Sequence, residues 1–253
     1  MTAERCSRSR RDVTKFLQDK PRIIGSFILP LLIVIILGNS FEPREHYDFL
    51  TFVTTGVFAQ TLFQSSALGL VSLLEDRDND FSQELFVAPV SRYAIIVGKI
   101  TGEAAVALVQ GFGVLVVGYL VGARIPLSRL PLLVFAGAAA CLLGGAFGLF
   151  VLSTVRTRRF ADQLFNFVFL PQFFLAGVFN ATSGFKWYLQ VLSRLAPMRY
   201  AVDLVRSVAY AGSPQRHFVV SDPLAVNVAI VCALFVVFVG SGTALFVRNE
   251  RNR

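Results

Sequence analysis

Residues 130–155 read LPLLVFAGAAACLLGGAFGLFVLSTV, a run of 26 residues without one charged side chain. A helix rises about 1.5 Å per residue and the hydrocarbon core of a bilayer is about 30 Å thick, so about 20 apolar residues can cross it. The run is therefore long enough to form a membrane-spanning helix. The composition agrees, because 55% of the 253 residues are hydrophobic and only 16% are charged, against about a quarter charged in soluble domains.

Further apolar runs predict five more spans. Four of them cover residues 23–41, 49–74, 93–121 and 224–247. The remaining one, Phe165–Phe179, is short and contains Pro171, so we expect it to cross only with help from residues 162–164, or to be broken. No charged stretch is long enough to build a second core, which predicts a single domain over residues 1–253. The expected fold is an all-α polytopic membrane protein with six transmembrane helices.

Lys and Arg residues are distributed unevenly between alternate connections. The N-terminal arm, the connections after spans 2 and 4 and the C-terminal tail together hold fifteen, against eight on the other side. The positive-inside rule then places both termini in the cytoplasm of a multi-pass plasma-membrane protein, with the basic N-terminal arm as an interfacial helix. This pattern explains the net charge of +8 better than nucleic-acid binding does, because the basic residues flank apolar runs.

The longest outer connection, Asn180–Pro223, is rich in apolar and aromatic residues. The stretch around Trp187 has the pattern of a helix lying in the membrane interface. A second helical stretch follows at Tyr200–Tyr210, where Asp203 and Arg206 are three residues apart and could pair on one face. The pattern predicts re-entrant or interfacial outer helices between spans 5 and 6, which either cap the outer leaflet or gate release.

The connection between spans 2 and 3 has the signals of a short, capped cytoplasmic helix. It reads EDRDNDFSQELFVAPVSR over residues 75–92, where Asp80 and Gln83 can form a capping box and Pro89 ends the element. Its apolar side has no lipid or core of this chain assigned to it, so we expect either a partner protein or the inner leaflet to cover it. That side is formed by Phe81, Leu85 and Phe86.

Several short motifs resemble the type-2 ABC exporter permeases. The cytoplasmic signature of that family is similar to Glu84-Leu85, Pro89-Val90-Ser91-Arg92 and Gly98-Lys99 here. Its fifth-span and outer-loop pattern is similar to LAGVF at 175–179 and LAPMRYAVDLVR at 195–206, so with the six-span layout the resemblance covers nearly the whole chain. The acidic stretch DND at 78–80 departs from it, because relatives commonly carry small or glycine-containing sequence there.

The resemblance implies a transport role and a set of partners. Two permease subunits, identical or different, would bind two ATPase subunits and export hydrophobic drugs, antibiotics or lipids. Because this chain has no G-x-x-x-x-G-K-[ST] loop, ATP and Mg are expected on the partner ATPases, with no cofactor, metal or catalytic residue on the chain itself. The coupling helix that would dock into an ATPase consists of Asp80, Phe81, Ser82, Gln83, Glu84, Leu85 and Phe86.

Polar and aromatic residues within the predicted spans are candidate functional residues. Lys99 and Glu103, four apart in span 3, are expected to neutralise each other, since a charge at the bilayer centre costs about 2.5–3.5 kcal/mol on insertion scales; a proton relay is the alternative. A second group either packs helices together or lines a substrate pathway between two copies. These residues are Gln60, Gln64, Phe165, Phe169 and Gln172.

Two other classes of protein fit the sequence less well. An ion-coupled secondary transporter would show inverted repeats and more membrane carboxylates. An intramembrane enzyme or a metal site needs convergent His, Cys or acidic residues, whereas His46 and His217 are far apart in sequence. The glycines at 144, 145, 148, 240 and 242 are expected to let helices approach closely.

Overall fold

The computed structural model describes residues 28, 30–36, 47–71, 92–155 and 157–251. These ranges form helices and turns without a strand, as the all-α prediction requires, and residues 30–36 are helical too. The helices are α1 (Phe49–Gly69), α2 (Arg92–Val121), α3 (Leu130–Ser153), α4 (Arg158–Leu175), α5 (Trp187–Leu195), α6 (Pro197–Ala209), α7 (Arg216–Val219) and α8 (Leu224–Arg251). Turns of 3-10 helix at Leu127–Arg129 and Thr182–Gly184 precede α3 and α5.

Three of the described helical stretches are long and apolar enough to cross a bilayer. They cover Gly98–Val121, Leu127–Ser153 and Arg216–Leu245, and so correspond to predicted spans 3, 4 and 6. Only 11% of the apolar window of the last stretch is buried within the chain, against 67% for Leu127–Ser153. The helix α3 is therefore central, whereas most of the surface of α8 is left to lipid or to another subunit.

The helix α1 occupies predicted span 2 but is more polar than a lipid-facing helix. It packs against α2, α3 and α6, and its buried residues include Thr54, Gln60 and Thr61. Neighbouring helices cover these polar groups, so the groups are not exposed to lipid. The helix ends at Gly69, five residues before the predicted end of the span.

The helix α4 begins at Arg158, seven residues before the predicted start of span 5, and includes Pro171. Residues 162–164 are thus helical, as one of the two expected alternatives required. The helix ends at Leu175, and Gly177 follows with φ +74, a left-handed conformation that glycine adopts without a steric penalty. This turn directs the chain towards α5 and α6.

Glycine residues on α3 bring the central helices into close contact. A Cβ atom at Gly144 would lie 2.1 Å from the carbonyl oxygen of Phe63 on α1, and a Cβ at Gly148 would lie 2.6 Å from that of Ala67. These residues therefore allow the close approach that the sequence predicted. The same prediction is wrong for Gly240 of α8 as far as the described residues go, because a Cβ there would meet none of their atoms within 4 Å.

The connections at one end of the bundle contact one another. The backbone amide of Arg124 donates to Thr51 Oγ1 at 2.8 Å. The guanidinium of Arg129 donates to the carbonyl oxygen of Ala211 at 3.0 Å. The start of α1, the turn after α2 and the chain after α6 therefore lie together, at the end that the charge distribution predicts to be outside.

Candidate functional site

The predicted coupling helix, Asp80 to Phe86, lies outside the described residues. Its two flanking helices are described: α1 ends at Gly69, and α2 begins at Arg92. The docking role of this segment therefore stays a prediction.

Lys99 and Glu103 form an ion pair on α2, next to the end of α1. The Lys99 Nζ atom is 2.9 Å from Glu103 Oε1, and the two side chains are only 13% and 10% exposed. Glu103 lies directly against Gly69, because a Cβ atom there would be 2.0 Å from Glu103 Oε2. The pair thus lies where α1 ends and the connection to the predicted coupling helix begins.

Gln60 and Gln64 interact with each other on α1. The Gln60 Nε2 atom donates to Gln64 Oε1 at 3.1 Å. Gln60 is buried and Gln64 is half-buried. Within the described part of the chain the Gln60 Oε1 atom has no hydrogen-bond partner, and a buried acceptor left in this state costs about 1–3 kcal/mol.

Phe165 and Phe169 of α4 are fully buried and belong to an aromatic cluster. Their rings stack with centroids 5.4 Å apart. Phe169 also contacts Phe63 of α1 and Phe147 of α3, each at 6.3 Å, and Phe147 contacts Phe238 of α8 at 5.5 Å. The cluster joins four helices, so both α4 rings pack the bundle in this structure.

Gln172 joins α4 to α6. Its Oε1 atom accepts a hydrogen bond from the backbone amide of Met198 at 3.4 Å. Amides in the first turn of a helix lack a partner within that helix, so Gln172 caps α6 from a neighbouring element. The predicted pathway residues therefore form an amide pair on α1 and a buried face of α4.

The start of α1, the turn after α4 and the last turn of α6 meet around Arg206. The sequence predicted for this residue only a pairing with Asp203. The Nη1 atom donates to the carbonyl oxygen of Gly177 at 2.8 Å. The Nη2 atom donates to the carbonyl oxygens of Val178 at 3.1 Å and Phe52 at 3.3 Å. The guanidinium carbon also lies 3.6 Å from the centroid of the Phe52 ring. One side chain thus bridges three elements.

The Arg206 guanidinium is a buried charge held by dipoles. Burial lowers its pKa to about 10, against the opposite effects of Tyr210, Asp203 and Tyr47. This pKa is still well above neutral, so the group stays protonated. A buried cation needs compensating partners, and here they are backbone carbonyls, two of them just beyond the C-terminus of α4, where the helix dipole is negative.

Asp203 binds the start of α8 instead of Arg206. Its Oδ1 atom accepts from the amide of Ser221, and its Oδ2 atom accepts from the amide of Asp222 and from Asn227 Nδ2, each at 3.0 Å. The predicted pairing of Asp203 with Arg206 is therefore wrong. The amides of Ser221 and Asp222 and the side chain of Asn227 on α8 offer three donors to this carboxylate. Arg206 instead binds carbonyls of α1 and of the turn after α4.

The described residues include few groups with the chemistry of a metal site. Within the described ranges no group of three or more His, Cys, Asp or Glu side chains could hold a metal ion. Cys141 is buried and Cys232 is exposed, and both are free thiols. The main polar contacts between elements are the carbonyl oxygens bound by Arg206 and the donors bound by Asp203, whereas the Lys99–Glu103 pair lies within α2.

Comparison with known protein families identifies the chain. Residues 7–210, a stretch that includes α1 to α6, match the family described as ABC-2 type transporter. The chain belongs to the ABC-2 type transporter family. The predicted resemblance to type-2 ABC permeases is thereby confirmed.

Relatives of this ABC-2 protein carry permease names. It is 24% identical over 240 residues to the probable doxorubicin resistance ABC transporter permease protein DrrC of Mycobacterium tuberculosis, strains H37Rv and CDC 1551, covering 92% of this chain and 86% of DrrC. It is 23% identical over 202 residues to a protein named as transport permease ycf38 in Cyanophora paradoxa, covering 76% of this chain and 70% of that protein.

Membership of the ABC-2 family has direct consequences. The chain is a permease, a transport component of an ABC transporter, and the family implies partner subunits of such a transporter. The apolar helices agree with a multi-pass membrane protein.

Sequence analysis missed the contact made by Arg206 in this ABC-2 permease. Gly56 is the glycine that makes room for it, because a Cβ there would lie 2.7 Å from Arg206 Nη2 and 2.8 Å from the carbonyl oxygen of Val178. However, Gly56 and Arg206 are 150 residues apart, so spacing alone could not pair them.

Proposed function

We propose that this chain is the membrane-spanning subunit of an ATP-driven ABC exporter for hydrophobic or amphipathic molecules such as a drug, an antibiotic or a lipid. The observation that carries the proposal is the ABC-2 family match over residues 7–210. The relative DrrC adds support for the type of cargo, because its name refers to doxorubicin resistance and it covers 92% of this chain.

In this proposal the working transporter contains two permease subunits, identical or different, and two ATPase subunits that bind ATP and Mg. The helix of residues 80–86 docks into an ATPase and carries its movement to the membrane. The contact of Glu103 with Gly69 supports this route, because the segment that leads to the coupling helix begins immediately after α1. ATP-driven closure of the two ATPases would alternate the access of a central cavity between inside and outside.

Orientation and cargo pathway belong to the same proposal. Both termini lie in the cytoplasm of a cell that holds the protein in its plasma membrane, and the excess of Lys and Arg on that side supports this orientation. Cargo passes between two copies of the chain, along Gln60 and Gln64 and along the α4 face when it opens. The half-buried position of Gln64 and the unsatisfied Oε1 atom of Gln60 support a polar group arriving there.

Reconstitution tests this function. The chain and its candidate ATPase are co-purified into proteoliposomes, and ATP-dependent, vanadate-sensitive doxorubicin transport is measured. We expect the Phe81→Ala variant to lose about tenfold of this transport, as truncation of an anchor residue at an interface does. The Phe112→Ala variant is the matched control, because Phe112 is 63% exposed on α2 and lies outside the proposed docking helix.

The result also separates the proposal from its main alternative. Transport by the isolated chain down an ion gradient, without an ATPase, would identify an ion-coupled transporter, in which the Lys99–Glu103 pair is the first candidate for a proton relay. Equal transport by the Phe81→Ala and wild-type proteins would remove the docking role from residues 80–86.

A further inference from the structure

A notch in α1 receives the guanidinium of Arg206. Gly56 lies one helical turn after Phe52, and its missing side chain exposes the helix backbone. The Arg206 Nη2 atom enters this notch and donates to the carbonyl oxygen of Phe52 at 3.3 Å, while the carbon of the guanidinium lies over the Phe52 ring. Because the hydrogen bond is made to the backbone of α1, it depends on the position of the helix itself.

The same guanidinium fixes the turn that follows α4. Its two terminal nitrogens bind the carbonyl oxygens of Gly177 and Val178, and Gly177 has the positive φ that turns the chain there. Val178 is also close to the notch, because its carbonyl oxygen would be 2.8 Å from a Cβ at Gly56. The start of α1 and the turn after α4 are therefore in direct contact, and Arg206 of α6 binds both.

A charge in this position resists separation of the three elements. The carboxylate of Asp203, one turn earlier on α6, is engaged by Ser221, Asp222 and Asn227. The carbonyl oxygens bound by Arg206 are thus the main compensation for a guanidinium that is 2% exposed. Withdrawing the Phe52 carbonyl would leave a buried cation with fewer partners, which is costly in a low-dielectric interior.

We propose that Arg206 is a positioning residue for transport, which holds the start of α1, the turn after α4 and α6 as one rigid unit, so that movement of α1 is passed to the outer helices. This inference rests on the proposed function, because the movement of α1 would start beside the ATPase. Within this unit Arg206 acts through backbone carbonyls and does not need to touch the cargo.

Two variants test the contact, one by changing Arg206 on α6 and the other by changing the notch on α1. Arg206→Lys keeps the charge but lacks the planar fork that binds three carbonyls at once. Gly56→Ala leaves Arg206 intact and fills the notch. Gly118→Ala is the matched control, because its methyl group would press on Thr54 of α1 from α2 without reaching Arg206.

The first measurement is the ratio of doxorubicin-stimulated to basal ATP hydrolysis by the reconstituted transporter. Arg206→Lys and Gly56→Ala should each lower this ratio about fivefold and leave basal hydrolysis within about twofold, since assembly is retained. The double variant Arg206→Lys/Gly56→Ala should have about the same ratio as the more impaired single variant, because both substitutions remove the same contact. The effects of Arg206→Lys and Gly118→Ala on the ratio should instead multiply. Wild-type stimulation in Arg206→Lys, or effects of Arg206→Lys and Gly56→Ala that multiply, would overturn the proposal.

The second measurement needs neither ATPase nor cargo. Hydrogen exchange of the purified chain in detergent should become faster at residues 176–181 and 50–56 in Arg206→Lys and stay unchanged at residues 224–230. Unchanged exchange at 176–181 would overturn the rigid unit. If wild-type hydrolysis does not respond to doxorubicin, the proposed function fails at that step, and the exchange measurement still decides whether Arg206 holds the three elements together.

Discussion

The absence of a side chain at Gly69 makes room for the carboxylate of Glu103 in this permease. The carboxylate of Glu103 occupies the space that a methyl group on Gly69 would need, and it is held there by Lys99 at 2.9 Å. Since a charged pair within a membrane span is tolerated only when both partners are neutralised, the glycine and the ion pair depend on each other.

Replacing Gly69 by Ala should therefore lower the stability of the purified chain. The new Cβ atom would lie 2.0 Å from Glu103 Oε2, and overpacking of this kind costs about 1–3 kcal/mol. The melting temperature in detergent measures the effect. Gly240→Ala is the control, because a Cβ there meets no atom of the described residues within 4 Å and Ala has the higher helix propensity. Equal losses in both variants would contradict the interpretation.

Gln60→Leu tests whether the amide pair on α1 is needed for packing. The substitution removes one buried acceptor without a partner and also the hydrogen bond to Gln64. These effects oppose each other, so stability should change by less than about 1 kcal/mol. A thermal melt of the variant beside the wild type gives the answer. A larger loss would show that the pair is structural, whereas unchanged stability with impaired doxorubicin transport would support a pathway role.

Local pairs could be predicted from the sequence, and contacts between distant residues could not. Lys99 and Glu103 are four apart, and a helix places such residues side by side. The same rule failed for Asp203 and Arg206, because tertiary partners outcompeted the local one: carbonyls of α1 and of the turn after α4 for Arg206, and the approach to α8 for Asp203. Nothing in the spacing of residues indicates which distant carbonyl a guanidinium will reach.

Among the helices, α8 depends on contacts at its first turn. Little of its apolar window is buried within the chain, and the carboxylate of Asp203 binds the two amides before it and the side chain of Asn227. Packing against α3, which includes the contact of Phe238 with Phe147, holds α8 along its length, and the Asp203 cluster fixes its start.

Asp203→Asn should loosen the start of α8. An asparagine offers one acceptor oxygen, and its amide group would face a donor, so at least one buried hydrogen bond is lost at a cost of about 1–3 kcal/mol. Hydrogen exchange at residues 221–227 should become faster, and the melting temperature should fall. Asp162→Asn serves as the control because Asp162 is exposed on α4, where an interaction contributes less. No change at 221–227 would remove the anchoring role.

The sequence predicted helix boundaries correctly where hydropathy alone determines them. The helices α2 and α3 begin and end within two residues of the predicted spans, because each apolar run is bounded by charged or turn-forming residues. The start of α4 was missed because its first turn contains Arg158 and Arg159, which an apolar window excludes although they are compatible with a helix. Propensity and capping, which set such amphipathic ends, are weak signals in one sequence.

At the scale of the whole molecule, the helices alternate between two ends of one bundle. The turn around Ser128, the chain after α6 and the start of α1 meet at one end, as the bonds of Arg124 and Arg129 show. The residues around Thr157, between α3 and α4, lie at the other end of α3. This arrangement gives a direct test of membrane orientation.

Cysteine labelling in intact cells should distinguish the two ends. In a background without the three native cysteines, Ser128→Cys and His217→Cys should react with an impermeant maleimide, because both residues are exposed at the end predicted to be outside. Thr157→Cys should react only after the membrane is permeabilised. The reverse pattern would invert the orientation inferred from the Lys and Arg distribution.

The polar character of α1 also bears on how the protein is made. During synthesis α1 emerges before α2, α3 and α6, the helices that later cover its Thr54, Gln60 and Thr61 side chains. A solitary α1 in lipid would leave these groups without partners. We expect it to leave the insertion machinery slowly and to wait there for its neighbours. The buried polar groups of α1 thus set the order in which the bundle assembles, and a nascent chain that stops after α1 becomes a substrate for quality control.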